Sequence, residues 1–417
     1  MRPGLALEAD RPGHRTPVGG WRPIVLQAAG MWLATRVAFA VLTYVTVIFN
    51  GFGNTRVPPG FVVGRWDLGT LLGSWGRWDA GIFVDISQNG YHSRPHAAFF
   101  PLYPMLIRLA TTVAGQRYAL LAALLISNLA ALAGFIGLAL LAAHEDGPGA
   151  APGAVRALAA YPLAFFLAAP YSDALLLATA TFTLLWARQG AWKRTAVAAF
   201  LAALTRSSAL ILVLPLVWEY GRQHGWWERE RWRTFRPRRL LNIRGGAEAI
   251  MVLGALPLGL AVYVAYLWRQ FGEPLLFLRA HALYWNRHLE PVWVTLRHAL
   301  GMLVRTPLGT YWSVLIALDL GALLAFGVLT VVVLRRQPVS FTLYMAGLLF
   351  LSTAAPTLLL PDPLSSVGRE LLVAIPVFLL LGRWLRRWPA LDLLIVAGGF
   401  MLQAALTTYF LSGGWVE

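Results

Sequence analysis

The sequence contains no cysteine and few charged residues of any kind. With no cysteine among 417 residues, disulfide bonds, thiolate nucleophiles and cysteine-held zinc or iron–sulfur centres are excluded. Charged residues make up 13% of the chain, whereas a soluble domain carries about 25%. Lys193 is the only lysine, so nearly all of the positive charge is arginine. The low charge argues against a soluble protein.

Hydrophobic residues are abundant and occur in long runs. They form 58% of the chain, and the mean hydropathy is +0.61. The runs 118–143 and 247–267 each exceed the roughly 18–20 residues that cross the hydrocarbon core of a bilayer. We therefore predict an all-α fold, that of a polytopic helical membrane protein.

The net charge of +16 is carried mainly by short loops between these apolar runs. Such loops act as topology signals and contact anionic lipids. Membrane lipids are therefore the expected partners of the basic residues. Nucleic acid is not expected, because no basic soluble domain is present to bind it.

The arginines also orient the apolar segments. Cytoplasmic loops carry an excess of basic residues, so we place the tail 1–23 and the basic loop 219–246 in the cytoplasm. This solution requires that the short segment 99–113 does not cross the membrane. It also requires that the segment 193–218, which Arg206 interrupts, enters the membrane and returns.

The result is one transmembrane domain, 24–411, with two outer loops at 50–118 and 269–309 and a short outer tail at 412–417. The predicted spans are 24–49, 119–143, 155–170, 172–187, 247–268, 310–334, 339–360, 367–383 and 389–411.

The first outer loop contains the most polar stretch, RWDAGIFVDISQNGYHSRPHAAFFPLYP at 77–104. Ile82, Phe83 and Ile86 recur with near-helical spacing after Asp79, as in a helix lying on the membrane surface. Asp79 has two compatible interpretations. It is either a helix N-cap, which stabilises a helix by about 1 kcal/mol, or a general base beside an outer cavity.

Other acids and histidines share the outer face in this topology. His92 and His96 are four residues apart, but Pro95 disfavours the helix that would make them a metal pair. We predict no metal site, and interpret His92 as a loop histidine that binds substrate phosphate or is solvated. The outer acids are Asp67, Asp79, Asp85, Asp173, Glu273, Glu290, Asp362 and Glu370.

Two arginines, Arg206 and Arg369, lie in or beside apolar segments, where a charge costs about 2.5–3.5 kcal/mol at a helix centre. They either reach headgroups or pair with an acid such as Asp173, or they bind the phosphate of a lipid-linked substrate. The outer segment 281–293 carries Arg287 among tyrosine and tryptophan residues. These aromatic rings suit either an interface belt or stacking on sugar rings.

These stretches together resemble one family, the GPI mannosyltransferase 2 (PIG-V-like) family of the GT-C superfamily. The segment 77–104 is similar to its first-loop motif, and AAPYSDALLL at 168–177 is similar to its second. LTRSSALILVLPL at 204–216 is similar to its arginine-bearing hairpin. Two later blocks at 271–287 and 365–378 extend the resemblance, which runs from about residue 25 to 385.

The resemblance implies a GT-C glycosyltransferase fold, a polyprenyl-phosphate mannose donor and inversion at the sugar carbon. Asp79 matches the catalytic base, and no cofactor or metal is implied, since arginines can stabilise the leaving phosphate. Substrate-binding residues carried over by position are Arg77, Trp78, His92, Tyr171, Asp173, Arg206, Arg287 and Arg369.

The acceptor stays open. The arginine-, alanine- and glycine-rich composition suggests a bacterial plasma membrane protein with an outward-facing site, and bacteria do not build GPI anchors. A glycolipid, a polysaccharide intermediate or a protein hydroxyl all remain candidates. The alternative functions are a transporter or flippase for polyprenyl-linked sugars, and an outer-face ligase that uses lipid carriers.

Overall fold

The computed structural model describes residues 20–50, 68–227, 243–357 and 360–416. Asp67, most of the cytoplasmic tail and most of the basic loop 219–246 lie outside the described residues. The helices are α1 (Arg22–Asn50), α2 (Leu68–Gly73), α3 (Asp79–Asn89), α4 (Leu102–Ala114), α5 (Ala119–Asp146), α6 (Ala151–Ala159), α7 (Asp173–Arg188), α8 (Trp192–Ala203), α9 (Val213–Gln223), α10 (Ile243–Phe271), α11 (Leu276–Trp285), α12 (Val292–Arg305), α13 (Tyr311–Arg336), α14 (Val339–Ala354), α15 (Val367–Glu370), α16 (Ile375–Leu385) and α17 (Pro389–Leu411).

Five helices in the described part of the chain are long and apolar enough to cross a membrane. They are α1, α5, α10, α13 and α17, and each falls on a predicted span. The prediction of an all-α, polytopic membrane protein is confirmed. The division into outer and cytoplasmic loops stays a prediction.

Helices α5 and α7 form the centre of the bundle. Small residues let their backbones approach closely: a Cβ added at Gly134 would lie 3.0 Å from Leu177, and one at Gly137 would lie 3.1 Å from Thr181. Small residues at such contacts are typical of helix packing in membranes. Helix α7 therefore packs closely on α5, and both of its ends carry charged clusters described below.

The predicted continuous spans at 155–170 and 367–383 are wrong. Helix α6 ends at Ala159, and the chain then runs irregularly to α7. The second segment is divided into α15, a short 3₁₀ turn and α16. The span predicted at 339–360 is also too long, because α14 ends at Ala354. Hydrophobicity alone did not reveal these breaks.

Buried polar side chains explain how the irregular segment after α6 is tolerated. Backbone groups away from water need protein partners. Gln403 donates to the carbonyls of Ala159 and Tyr161, at 3.1 and 2.8 Å. Arg36 donates to the carbonyl of Leu167, at 3.0 Å. The break therefore has its hydrogen bonds supplied by neighbouring helices.

The segment 193–218 is broken where the sequence predicts an interruption. Helix α8 ends at Ala203, Arg206 has an extended backbone (φ −158°, ψ 151°), and a 3₁₀ turn leads into α9. The carbonyl of Leu204 accepts a hydrogen bond from the amide of Leu102, at 2.9 Å. The break is thus tied to the first residue of α4.

A second, aromatic core anchors the segment 83–107 on α5, α10 and α11. Phe83 of α3 packs edge-on against Tyr103 of α4, with ring centroids 4.9 Å apart. The Tyr103 hydroxyl donates to the carbonyl of Ala123 at 2.9 Å, and the Tyr263 hydroxyl donates to the carbonyl of Ala97, also at 2.9 Å. These contacts fix the position of α3, and with it Asp79.

Candidate active site

Asp79 is the first residue of α3, and Trp78 occupies the N-cap position. The interpretation of Asp79 as the N-cap is therefore wrong by one residue, although an acid in the first turn still complements the helix dipole. Trp78 has φ +52°, a conformation that L residues rarely adopt. Its indole N–H donates to the carbonyl of Gly414 at 3.2 Å, and its ring lies edge-on to Trp415.

The Arg369 guanidinium connects Asp79 to Asp173. Its Nη1 lies 3.3 Å from Oδ2 of Asp79, while Nε and Nη2 donate to Oδ2 of Asp173 at 3.0 and 2.8 Å. The guanidinium carbon lies 4.5 Å from the ring centroid of Tyr171 and 5.0 Å from that of Phe166. These cation–π contacts hold the arginine in a fixed orientation.

Arg206 completes a row of four charged groups. Its Nη1 donates to Oδ1 of Asp173 at 2.5 Å, so the two Asp173 oxygens each serve a different arginine. Asp173 begins α7, and Arg206 lies at the break before the 3₁₀ turn. We call Asp79, Arg369, Asp173 and Arg206 the carboxylate–arginine cluster.

Exposure within this cluster increases from its centre to its ends. The side chains of Arg369 and Asp173 are 4% and 3% exposed, whereas those of Asp79 and Arg206 are 22% and 25% exposed. Oδ1 of Asp79 and the Nε and Nη2 atoms of Arg206 have no protein partner in the described part of the chain. The arrangement therefore offers a carboxylate oxygen and unused arginine donors at its two ends.

Arg77 and Tyr171 are buried residues that support this cluster through hydrogen bonds to the backbone. Arg77 is 6% exposed and donates to the carbonyls of Ser74 and Leu411, at 3.2 and 2.8 Å. Tyr171 is fully buried, and its hydroxyl donates to the carbonyl of Arg77 at 3.0 Å. These contacts link the residues before α3 and α7 to the last residue of α17. These backbone contacts indicate that both side chains hold neighbouring segments in position.

Arg287 lies on a neighbouring segment and contacts the chain next to Arg369. Its Nη2 donates to the carbonyl of Ser365 at 2.8 Å, and its Nη1 lies 3.9 Å from Glu370. His281 lies in α11, six residues before Arg287. The positive charges of Arg287 and Arg206 both act on its imidazole. Burial, followed by these two positive charges, lowers the pKa of the His281 imidazole to about 4.

Nothing in the sequence marks His281 as a site residue, although it begins the aromatic segment 281–293. A histidine six residues before an arginine has no motif spacing that would have identified it. His92, in contrast, was selected but has no contact with the carboxylate–arginine cluster in the described structure. Its polar neighbours are Asp85, Gly90 and His96.

Comparison with known proteins agrees with the sequence resemblance. A family model described as Mannosyltransferase (PIG-V) matches residues 40–275, which is more than half of the chain. The match includes Asp79, Asp173 and Arg206, but ends before Arg369. No curated protein sequence matches the chain.

Among solved structures, the chain is similar to the crystal structure of ArnT from Cupriavidus metallidurans bound to undecaprenyl phosphate. The identity is 16% and the TM-score is 0.47. The similarity covers 84% of this chain and 60% of that chain. By its sequence match over residues 40–275, the protein belongs to the mannosyltransferase (PIG-V) family.

Proposed function

We propose that the protein is an inverting glycosyltransferase that moves a sugar, mannose by family, from a polyprenyl phosphate to an acceptor hydroxyl. The observation that carries the proposal is the carboxylate–arginine cluster in a family member. One carboxylate oxygen of Asp79 and the unused donors of Arg206 lie at the ends of a rigid, ion-paired row. Reaction at the outer, membrane-level face belongs to the same proposal and follows from the predicted topology.

Asp79 acts as the general base in this reaction. The acceptor hydroxyl attacks the anomeric carbon from the side opposite the phosphate, and its proton passes to Oδ1 of Asp79 as the new C–O bond forms. Arg369 holds Oδ2 at 3.3 Å, so the carboxylate cannot turn away from the acceptor without breaking this contact. The proton later leaves Asp79 for water.

The arginines stabilise the leaving group. When the bond between the anomeric carbon and the phosphate oxygen breaks, its electrons stay on the polyprenyl phosphate. Arg206 has unused donors that suit a phosphate. Arg287 lies near the same region, because its charge and that of Arg206 both lower the pKa of His281. Fixed positive groups that face a developing negative charge are an effective form of transition-state stabilisation.

The neutral state of His281 fits this environment. Because its pKa is lowered to about 4, the imidazole adds no positive charge near pH 7, yet it can still exchange a hydrogen bond with a ligand. The glycolipid, polysaccharide and protein acceptors stay open, and each has the hydroxyl group that the reaction requires.

The test is sugar transfer by purified protein in lipid nanodiscs, with radiolabelled polyprenyl-phosphate mannose as donor and a lipid extract, a polysaccharide or a serine-rich peptide as acceptor. Asp79→Asn should reduce transfer by about 10²- to 10⁴-fold, the usual contribution of a general base. Its melting temperature should change little, because Arg369 keeps its contacts with Asp173. Glu290→Gln removes another acid of the same predicted face and should transfer normally.

Three outcomes would count against this proposal. Full activity in Asp79→Asn would remove the base assignment. Movement of the labelled donor across vesicles without sugar transfer would favour the transporter. Transfer of the whole phosphate-linked group instead of the sugar alone would favour the ligase.

A further inference from the structure

Asp85, His92 and His96 converge at the far end of α3 from Asp79. Oδ2 of Asp85 lies 3.5 Å from Nε2 of His92 and 3.3 Å from Nε2 of His96. All three possible ligand atoms lie within 4.8 Å of one another. For metal–ligand bonds of about 2.0–2.1 Å, the atoms of a tetrahedral zinc site are about 3.4 Å apart. The two oxygen–nitrogen distances match that edge.

The convergence does not need a helix through the histidines. The expectation that Pro95 prevents such a helix is correct, because Ser93 is extended (φ −129°, ψ 150°) and a 3₁₀ turn follows at Arg94–Ala98. The loop turns back at Gly90, which has φ +75°. The two imidazoles therefore approach Asp85 from the loop, with ring centroids 4.7 Å apart and planes at 88°.

Hydrogen bonds around the cluster orient the ligand atoms. Nδ1 of His92 lies 3.3 Å from the carbonyl of Gly90, so that a proton on Nδ1 leaves the Nε2 lone pair directed at Asp85. Asn89 donates to the other Asp85 oxygen at 2.7 Å. In metal sites, ligating imidazoles commonly donate their second N–H to a backbone carbonyl, and ligating carboxylates are themselves hydrogen-bonded.

His96 is the most buried of the three candidate ligands. Its residue is 8% exposed, and its buried Nδ1 has no hydrogen-bond partner in the described part of the chain. The Nε2 lone pair of His92 and the Asp85 carboxylate are both acceptors, and two facing acceptors repel unless a proton or a metal ion lies between them.

We propose that Asp85, His92 and His96 bind a divalent transition-metal ion of the zinc type, with a fourth position open to water. Two imidazole nitrogens and one carboxylate oxygen form a ligand set that such ions prefer. His92 is 52% and Asp85 36% exposed, so an ion can enter from solvent. This assignment replaces the substrate-binding role predicted for His92 and does not rest on the proposed transferase activity.

The site would fasten the loop at 90–98 to the preceding helix α3. Asp85 lies six residues after Asp79, about 9 Å further along the helix axis, so the ion would not touch the acceptor at Asp79. It would join the end of α3 to the loop that carries His92 and His96. The same loop is held on its other side by Gln270, which donates to the carbonyl of Tyr91 at 3.1 Å. The ion is therefore a positioning element for the helix that carries Asp79.

The test measures bound zinc by elemental mass spectrometry on full-length protein purified in detergent with an affinity tag that contains no histidine. Wild type and the control His298→Ala, an exposed histidine elsewhere, should each hold one zinc per chain. His96→Ala and Asp85→Asn should hold none, and Asn89→Ala should bind about 10- to 100-fold more weakly. Cobalt added to apoprotein should give the visible absorption of a tetrahedral site in wild type and His298→Ala, and none in His96→Ala or Asp85→Asn.

Stability provides a second readout that is independent of catalysis. A chelator should lower the melting temperature of wild type and His298→Ala, but should leave His96→Ala unchanged, because an ion that binds only the folded state stabilises it. If His96→Ala does not fold, the exposed His92→Ala replaces it. Zinc absent from wild type, or as much zinc in the His92 and His96 variants as in wild type, would overturn the proposal and leave Asp85, His92 and His96 in contact without a metal ion.

Discussion

The two ends of α7 carry charged clusters of similar composition that differ in how completely their polar atoms are used. The N-terminal end carries the carboxylate–arginine cluster around Asp173. The C-terminal end carries a second group, which we call the α7 C-terminal cluster. Its members are Glu145, Arg188, Glu219 and Arg222.

The α7 C-terminal cluster is closed. Arg188 donates to both oxygens of Glu145, at 2.8 and 3.0 Å, and its third nitrogen reaches Glu219 at 3.1 Å. Glu219 also accepts from Arg222 and from Gln223. The side chains of Glu145 and Glu219 are 10% and 2% exposed. Each acid is therefore fully engaged by protein donors.

The cluster at the N-terminal end of α7 is open by comparison. Asp79 uses one oxygen and Arg206 one nitrogen, and both are about ten times more exposed than Glu219. Both ends place charges that complement the helix dipole, acid at the N-terminus and base at the C-terminus. An ion-pair network is therefore a candidate active site only where it has unused polar groups that a ligand can reach.

The largest effect on stability should come from disrupting the α7 C-terminal cluster. Arg188→Ala leaves the carboxylate of Glu145 without its two donors and removes one of the donors of Glu219, and breaking a buried pair in this way costs about 3–5 kcal/mol. We expect a clear fall in melting temperature. Sugar transfer per folded molecule should change little, because Arg188 is at the opposite end of α7 from Asp173. Thermal unfolding and transfer assays on the same preparation check both statements.

Arg194→Ala is the matched control, since Arg194 is an exposed arginine of the adjacent helix α8. Exposed substitutions of this kind usually change stability by less than about 0.5 kcal/mol. Equal melting temperatures for the two variants would show that the closed cluster does not stabilise the fold. If fully folded Arg188→Ala loses sugar transfer, the α7 C-terminal cluster also serves the reaction, and the two ends of α7 do not differ in function.

The next effect concerns ligand binding at the open end. Arg206→Lys keeps a positive charge beside Asp173 but removes the planar fork whose other donors are unused. A hydrogen bond to a charged group is worth about 1.5–3 kcal/mol, so affinity for a polyprenyl phosphate, the leaving group of the proposed reaction, should fall about 10- to 100-fold. Native mass spectrometry of protein titrated with this lipid measures the change.

Arg279→Lys is the control for this prediction. Arg279 is an arginine of α11, paired with Glu273 at 3.0 Å and 62% exposed. Its substitution should leave lipid affinity unchanged. If both variants bind equally well, Arg206 does not contact the phosphate, and its role is confined to holding Asp173.

Part of this comparison could be predicted from sequence. Interrupted hydrophobicity identified Arg206 and Arg369, and the assumed topology placed them near Asp79 and Asp173. The structure brings these four residues into contact. The pairing of Arg206 and Arg369 with Asp173, one of the alternatives that the sequence left open, could be anticipated because a charge in an apolar segment is costly without a partner. Their role in binding a phosphate stays a prediction.

The rest could not be predicted, because it depends on partners far apart in the chain. Glu145 and Glu219 each follow an apolar segment and look like ordinary loop acids until three helices bring them to Arg188. The end of helix α6 at Ala159 is equally difficult to recognise from the sequence. Its hydrogen bonds come from Arg36 and Gln403, and no local pattern indicates which carbonyls these side chains will reach.

The smallest effect is a pH dependence from His281. Its pKa is about 6.5 when unfolded and about 4 in the folded protein, lowered by burial and then by Arg287 and Arg206. Between these values the unfolded chain binds the proton more readily, so stability falls as pH falls from 6.5 toward 4. The loss should reach about 1–2 kcal/mol at pH 5.

His281→Gln removes this titration, whereas His298→Gln, at an exposed histidine, should keep it. We therefore expect the melting temperatures of wild type and His298→Gln to decline together below pH 6.5, with a smaller decline in His281→Gln. A saturating polyprenyl phosphate should reduce the wild-type decline, because a bound phosphate offsets the positive charge of the two arginines and raises the His281 pKa. If the decline is unchanged with the lipid bound, the phosphate lies away from His281. The ligand-binding groups at the N-terminal end of α7 would then be Asp79 and Arg206 without His281.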